Sequence, residues 1–280
     1  MNGSHSQPGP IGHPAGGYVP QRMTGQTDDL LAGFAPVSLD ALDQRAALQR
    51  RVDRKYLVAE AILVELLAAL REDHDVLDIE GRRSSAYHSV YFDTADLLCF
   101  REHVEGHKPR FKARTRHYVD TDLCHFEVKV KLADGGTSKQ RHDHDPVRRD
   151  QLTDAAQAFL DEQLRHRADR TAPEGLRPVL TTSFERMTLA AREVPARLTC
   201  DALLRLARPD GDTAALAEGH RLLETKSSDG DSPADRALAR AGVQDISLSK
   251  YRLGVGMLHD EADDPDPPLD GEAGRLFTVT

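Results

Sequence analysis

Residues 108–118 read KPRFKARTRHY, with a cation at every second position: Lys108, Arg110, Lys112, Arg114 and Arg116. At strand period these five share one face, while Phe111, Ala113 and Thr115 share the other. Same-face neighbours on a strand lie about 7 Å apart. Two like charges at that distance repel by about 0.6 kcal/mol in water and about 2.4 kcal/mol at an effective dielectric of 20. Such a row is tolerable on a wet surface. Enclosed, it is costly unless an anion of matching shape lies along it.

The same chemistry recurs along the chain. In FEVKVKL, Phe126, Val128, Val130 and Leu132 alternate with Glu127, Lys129 and Lys131. Beyond a hairpin signal at Asp134, Gly135 and Gly136, Lys139, Arg141 and Asp143 fall in line. Arg51, Asp53 and Lys55 share a face, as do Arg197, Thr199 and Asp201, and again Glu224 and Lys226. One amphipathic strand asks only for a wet side. The repetition implies that the charged faces converge on a shared concavity, with the apolar faces covered from outside by helices. Arg and Lys both suit phosphate oxygens, and a long polyanion fits a concentrated cationic interior. Aromatics are nearly absent from these faces, Tyr118 excepted, and the chain has no tryptophan. That disfavours stacking on bases, and so disfavours nucleic acid.

The elements that must position these side chains follow from periodicity. Helices are expected over residues 38–50 with Ser38 as N-cap, through AEAILVELLAALRED, over 97–105, over 149–168, and in SPADRALARAG with Ser232 as N-cap. The remaining periodic segments read as strands, without the regular βαβ alternation of a parallel sheet, so the fold class is α+β. In YFDT, Tyr91 and Asp93 read as packing and strand termination. His142 and His144 share a face, but their run ends a strand before a charged loop, which disfavours a metal site.

Composition bounds the rest. The 280 residues carry a formal charge of -9, much of it in a Pro-rich acidic stretch after residue 258, expected to be a solvated tail over 259–280. Residues 1–35, rich in Gly, Pro, Ser, Gln and Thr, read as a disordered leader without the apolar core of a signal peptide. The folded domain is then expected over 36–258. The most apolar run, AEAILVELLAAL, is interrupted by Glu65 and falls short of the roughly 20 residues of a membrane span. Cys99, Cys124 and Cys200 lie far apart without metal spacing and read as reduced thiols of a cytoplasmic protein.

Taken in order, DRKYLV, VYFDT, PRFKARTR, FEVKVK, SFERMTL, RLTCD, LLETKS and SKYRLG resemble the polyphosphate polymerase (VTC) domain, a branch of the CYTH or triphosphate tunnel metalloenzyme superfamily. The resemblance covers about residues 45–256. It implies a closed antiparallel eight-stranded β-barrel, a triphosphate tunnel, with helices packed outside. It implies that a nucleoside triphosphate such as ATP and inorganic polyphosphate bind in the tunnel with a divalent metal, Mn²⁺ or Mg²⁺. By position, Lys55, Arg110, Lys112, Arg114, Lys129 and Lys250 resemble the family's catalytic cations, with Lys250 near the tunnel mouth. Lys131, Lys139, Arg141, Arg186 and Lys226 continue as phosphate ligands, and Glu224 resembles the metal-binding glutamate. Arg110, Lys112 and Arg114 are expected to face the tunnel, with Lys108 and Arg116 at its mouths.

One departure matters. The superfamily's hydrolases open with Glu-x-Glu-x-Lys, where this chain has Arg51, Asp53 and Lys55. The lost carboxylate weakens a multi-metal hydrolase reading, and Asp53 and Asp201 read as partners that orient cations. Three activities stay open at this point: a polyphosphate-synthesising phosphotransferase, a triphosphate hydrolase of the same fold, and a non-catalytic polyphosphate-binding module. The chain shows no membrane span, so any coupling to transport calls for a separate membrane partner.

Overall fold

Alternation of charged and apolar side chains decides the architecture. The computed structural model describes residues 25–45, 51–269 and 274–280. In chain order the first elements are α1 (Gly25–Ala32), β1 (Ala35–Val37), α2 (Leu39–Arg45), β2 (Val52–Ala59), α3 (Glu60–Leu70), β3 (His74–Leu77), β4 (Ser84–Asp93) and α4 (Leu98–Val104). Then come β5 (Arg110–Tyr118), β6 (Leu123–Lys131), β7 (Thr137–Asp143), α5 (Asp154–Ala168), β8 (Arg177–Ala191), β9 (Arg197–Ala207) and β10 (Thr213–Leu216). The last are β11 (His220–Ser227), α6 (Pro233–Arg240), α7 (Lys250–Leu258) and β12 (Phe277–Val279).

Eight strands pair antiparallel in the order β2-β11-β9-β8-β4-β5-β6-β7, with β3, β1, β10 and β12 attached at the margins. Bulges bend the sheet between Tyr91 and Phe92 on the β4–β8 ladder and between Ser183 and Glu185 on the β8–β9 ladder. At the second, Leu203 takes a positive φ of 53°. The sheet curls far enough that Lys129 on β6 lies in the electrostatic field of Lys55 and Asp53 on β2.

The expected closed ring is not formed. Among the described residues no ladder joins β7 to β2. β7 is a short edge strand of sequence TSKQRHD, half-buried at best along its length, and charged side chains on an edge discourage further pairing. The result is an α+β fold built on a curled antiparallel sheet whose two edges face each other across a seam.

Apolar faces lie outward under helices, as the alternation requires. Phe111, Phe126, Val128 and Val130 pack with Leu160 and Leu164 of α5, in the same core as Leu253 and Val255 of α7. On the opposite side Leu63, Leu66, Leu67 and Leu70 of α3 cover Tyr56, Val58, Leu198 and Leu223. Ser232 caps α6 reciprocally with Asp235, as its sequence suggests. The same Asp235 accepts from the Tyr56 hydroxyl at 2.7 Å and the Thr225 hydroxyl at 2.5 Å, which pins α6 to the back of β2 and β11.

The two expected tails are structured where they are described. Leu31 and Phe34 are buried, and Arg83 donates to the Leu31 carbonyl at 2.6 Å, so the ordered chain begins before residue 36. The apolar run LLAGFA lies inside a stretch whose average composition is polar. At the other end β12 pairs with β10 through the apolar Phe277, and Asp264 receives Arg252 in two bonds of 2.7 and 2.5 Å. Residues 1–24 of the leader expected over 1–35 lie outside the described residues.

Replacing Asp235 with Ala leaves the buried Tyr56 and Thr225 hydroxyls without their acceptor and uncaps α6. The expected loss is about 3 kcal/mol in chemical denaturation, with Asp235→Asn losing less.

Candidate functional site: a cation-lined groove

Cross-strand register places the inward side chains in rows. Arg110 and Lys131 form the first, Lys112, Lys129 and Lys139 the second, and Arg114, Glu127 and Arg141 the third. Arg116, His125 and Asp143 form the fourth. On the facing wall Asp53 pairs with Lys226 and Arg197, Lys55 with Glu224 and Thr199, and Asp201 with Arg186. The strands therefore bring Lys55, Lys112, Arg114, Lys129, Lys139, Arg186, Glu224 and Lys226 onto one concave surface. Lys250, the first residue of α7, joins them by pairing with Asp201 at 2.5 Å.

The cations differ in what holds them. Arg186 binds Asp201 through Nε at 2.6 Å and Nη2 at 2.8 Å. Burial opposes the charge on Asp201, but Arg186 and Lys250 outweigh it and hold the carboxyl below its usual range. Arg114 binds Glu127, and Lys139 reaches the same carboxylate at 2.7 Å. Lys226 lies 2.7 Å from Glu224 and 3.6 Å from Asp53. Burial again opposes ionisation of Glu224, and Lys226, Arg186 and Lys55 hold it well below the carboxylate range.

Among the described residues Lys112 has no carboxylate within ion-pair distance. Its Nζ donates to the Ser249 hydroxyl at 2.9 Å and sits 5.4 Å above the Tyr251 ring. Burial, then Lys129, Arg110, Lys55 and Arg114, push its pKa well below that of an ordinary lysine. Among the described residues Lys129 also lacks a carboxylate within ion-pair distance, and its side chain is exposed to the groove.

Three expected ligands lie at the periphery. Arg110 donates to the His107 carbonyl at 2.8 Å, Lys131 to the Gly135 carbonyl in the β6–β7 turn, and Arg141 is exposed near the seam. Arg116, expected at a mouth, is instead largely buried, 4.0 Å from Glu127 and over the Tyr87 ring. The expectation of few aromatics also needs correction. Tyr87, Tyr91, Phe184 and Tyr251 all reach the cationic face, from β4, β8 and α7. Each ring is already covered by a protein cation at 4.6–5.5 Å, so none is free to stack on a base.

Sequence reasoning gave no site role to Glu127, Tyr91 or Ser249. Glu127 was in view on the charged face of FEVKVKL, but nothing in one strand shows that its neighbours would turn to it. The His142–His144 run is structural: His142 stacks on Phe159 at 5.4 Å, and His144 bonds the Arg148 carbonyl at 2.9 Å.

Among the described residues no group of three or more His, Cys, Asp or Glu side chains could hold a metal. The nearest approach to a donor set is Glu224 with Asp53, two carboxylates sharing Lys226. That fits a hard divalent ion which brings most of its oxygens with it, since Mg²⁺ is commonly held by one or two carboxylates plus substrate phosphates and water. It does not make a cage for a resident ion.

The family model of the VTC domain matches residues 50–259. The chain belongs to the VTC domain family. No curated protein matches it. Among solved structures, a Hippeastrum protein described as a candidate adenylyl cyclase with a dominant triphosphatase activity is 16% identical. It covers 74% of this chain and 95% of its own, with a TM-score of 0.45. A candidate adenylate cyclase from Vibrio parahaemolyticus is 15% identical, covering 72% of this chain and 95% of its own at a TM-score of 0.42. A Pyrococcus horikoshii protein is 12% identical, covering 72% and 93% at 0.39. None of the three bears on the chemistry of this VTC domain.

A bound polyanion reverses the penalty on Lys112 and raises its pKa, so binding takes up protons. Affinity for tripolyphosphate is expected to fall as pH rises from the depressed pKa of the free protein toward the ordinary lysine value of about 10.4. Titration calorimetry in two buffers of different ionisation enthalpy reads the uptake directly. Lys112→Met should reduce it, the remainder coming from Lys129, Lys139 and the other groove lysines that burial depresses.

Proposed function

We propose that this VTC domain is a polyphosphate polymerase-like phosphotransferase, with a nucleoside triphosphate, ATP, as donor and inorganic polyphosphate as product. The observation that carries this is the pair Lys112 and Lys129, adjacent in register and, among the described residues, without a carboxylate at ion-pair distance, in a groove where carboxylates hold Arg114, Lys139, Arg186, Lys226 and Lys250. A surface of this kind is incomplete without an anion that presents several charges in line.

Phosphoryl transfer is mostly positioning and neutralisation of charge, and it needs no protein nucleophile. That agrees with the cysteines, all buried: burial raises Cys124 to about 11 and pushes Cys99 and Cys200 well above an ordinary thiol. Lys112, Lys129 and Lys55 would bind donor phosphates, with Arg186 and Lys250 fixed by Asp201 at one side and Arg114 fixed by Glu127 at the other. Glu224 and Asp53 would hold a divalent ion, Mn²⁺ or Mg²⁺, that arrives with the phosphates. Such an ion, when bound, neutralises charge on the transferred group. The terminal phosphate of a growing chain is already ionised, so as acceptor it needs no general base.

Among the described residues no helix is long and apolar enough to cross a membrane. We place the reaction in the cytoplasm, with any transport of the product assigned to a separate membrane partner.

Purified protein incubated with ATP and Mn²⁺ should yield long chains on a gel. Free phosphate alone would overturn synthesis in favour of hydrolysis, and tight tripolyphosphate binding without turnover would leave a binding module. Lys129→Met should lower kcat/KM by about 10–100-fold, the worth of one charge-assisted contact. Glu224→Gln should raise the Mn²⁺ concentration needed for half-maximal rate; an unchanged metal requirement would remove Glu224 from the metal site.

A further inference from the structure

We propose that Glu127 is a positioning residue: it fixes Arg114 in a single orientation toward the reacting phosphate and draws Lys139 away from the free lysines. The inference rests on the phosphate-transfer reading and deepens it.

Glu127 differs from the other inward carboxylates in where it stands. Asp53, Asp201 and Glu224 belong to β2, β9 and β11, on the wall opposite. On the β5–β6–β7 wall Glu127 faces Arg114 and Arg141 in its own row, between a row of lysines and the row of Arg116, His125 and Asp143. Asp143, at the outer end of that wall, is exposed and turned to His125 at 3.1 Å. The Glu127 side chain is 3% exposed.

Its contacts define the role. One oxygen, Oε2, accepts from both Nε and Nη2 of Arg114, at 2.8 and 2.7 Å. Nη1 of Arg114 donates to the Tyr91 hydroxyl at 2.7 Å, and the guanidinium lies 5.5 Å from the Tyr91 ring centroid. Three of the five N–H groups of the guanidinium are thereby committed, and its plane is set. The remaining two, one on each terminal nitrogen, form a fixed donor pair for ligand oxygens. A flexible side chain becomes a rigid fork. The other oxygen of Glu127 takes Lys139 at 2.7 Å, which pulls that ammonium out of the row it shares with Lys112 and Lys129.

Stability does not account for such a residue. A buried ion network gains little net free energy, because desolvation offsets the attraction, and an apolar side chain often serves the fold as well. Its charge also works against the ligand, since a carboxylate in the groove repels phosphate. A group that weakens binding yet orients a cation is what catalysis calls for, where geometry in the transition state counts for more than ground-state affinity.

The test compares wild type, Glu127→Gln and the charge-balanced Glu127→Gln/Lys139→Gln protein. Calorimetry with tripolyphosphate gives Kd, ATP turnover gives kcat, and NMR reads solvent exchange of the Arg114 Hε. Glu127→Gln should bind tripolyphosphate about 3–10-fold more tightly, having lost a repelling charge. Its kcat should fall about 10–100-fold, because Arg114 is no longer held. The double variant should bind within about threefold of wild type, its net charge being restored. It should keep the loss in kcat, and in both variants Arg114 Hε exchange should accelerate. A merely structural role predicts that affinity and kcat fall together with the melting temperature, and that result overturns the proposal. So does unchanged kcat in the double variant, or unchanged Arg114 exchange in either. Wild-type protein that binds no tripolyphosphate would instead sink the phosphate reading itself. Wild type that binds but does not turn over removes the transferase reading, while affinity and Arg114 exchange still decide the role of Glu127.

Discussion

Enclosing like charges is the constraint on which the rest of this structure depends. Neighbouring strands stand about 4.8 Å apart, so two ammonium groups in register repel by about 3.5 kcal/mol at an effective dielectric of 20. The row Lys112, Lys129 and Lys139 would meet that cost twice over. Each member escapes differently: Lys139 turns to Glu127, Lys112 to Ser249 and the Tyr251 ring, and Lys129 toward open solvent and the opposite wall. The open seam between β7 and β2 belongs to the same account. A closed ring would shut water away from Lys129, whose exposed side chain has no carboxylate partner among the described residues.

Holding such a surface together takes a scaffold that is stable for other reasons, and the apolar back of the sheet supplies it. Helices α3, α5, α6 and α7 bury that back in two large cores. Asp93, at the end of β4, links the scaffold to the groove. It accepts from the backbone N–H groups of Thr94, Cys99 and Phe100 at 2.8, 2.9 and 3.1 Å, which satisfies the start of α4. It also accepts from the Tyr251 hydroxyl on α7. One buried carboxylate thus anchors a helix that follows it by more than 150 residues (158 separate Asp93 from Tyr251), and α7 in turn delivers Lys250 and Ser249 to the groove.

The faces of the strands were legible in the sequence because a two-residue period leaves little freedom: once Phe111 and Val128 are buried, Lys112 and Lys129 must point the other way. Helix boundaries with a chemical marker were legible too, Ser232 with Asp235 being the clearest. Ring closure was not, because it turns on whether two edge strands meet, and neither edge carries a signal for its distant partner. The ordered ends were missed for a related reason. Leu31, Phe34 and Phe277 are few among many polar neighbours, and composition averages them away although each is buried. The aromatic lining was missed because Tyr87 and Tyr91 come from β4, whose alternation shows no cations, and join the cationic face only by way of β5, where Tyr91 pairs with Arg114 and Tyr87, opposite Tyr118, lies under Arg116.

Those rings explain how the groove stays attractive to phosphate. A cation can be made tolerable in an enclosed space by a carboxylate or by an aromatic face. The carboxylate does it more strongly but subtracts a whole charge from the field that a polyanion meets. A ring offers about 0.5–2 kcal/mol through its quadrupole and leaves the net charge untouched. Lys112 over Tyr251 is steadied in the second way, at 5.4 Å, while Arg116 lies over Tyr87 at 5.5 Å and also 4.0 Å from Glu127. Arg114 and Arg186 are steadied in both, with Tyr91 at 5.5 Å and Tyr87 at 5.3 Å beside Glu127 and Asp201. The choice of partner therefore divides the wall. Cations backed by carboxylates are fixed in direction and weakened in charge, which suits orientation of a reacting group. Cations backed by rings, hydroxyls or water keep their full charge, which suits capture of the polyanion.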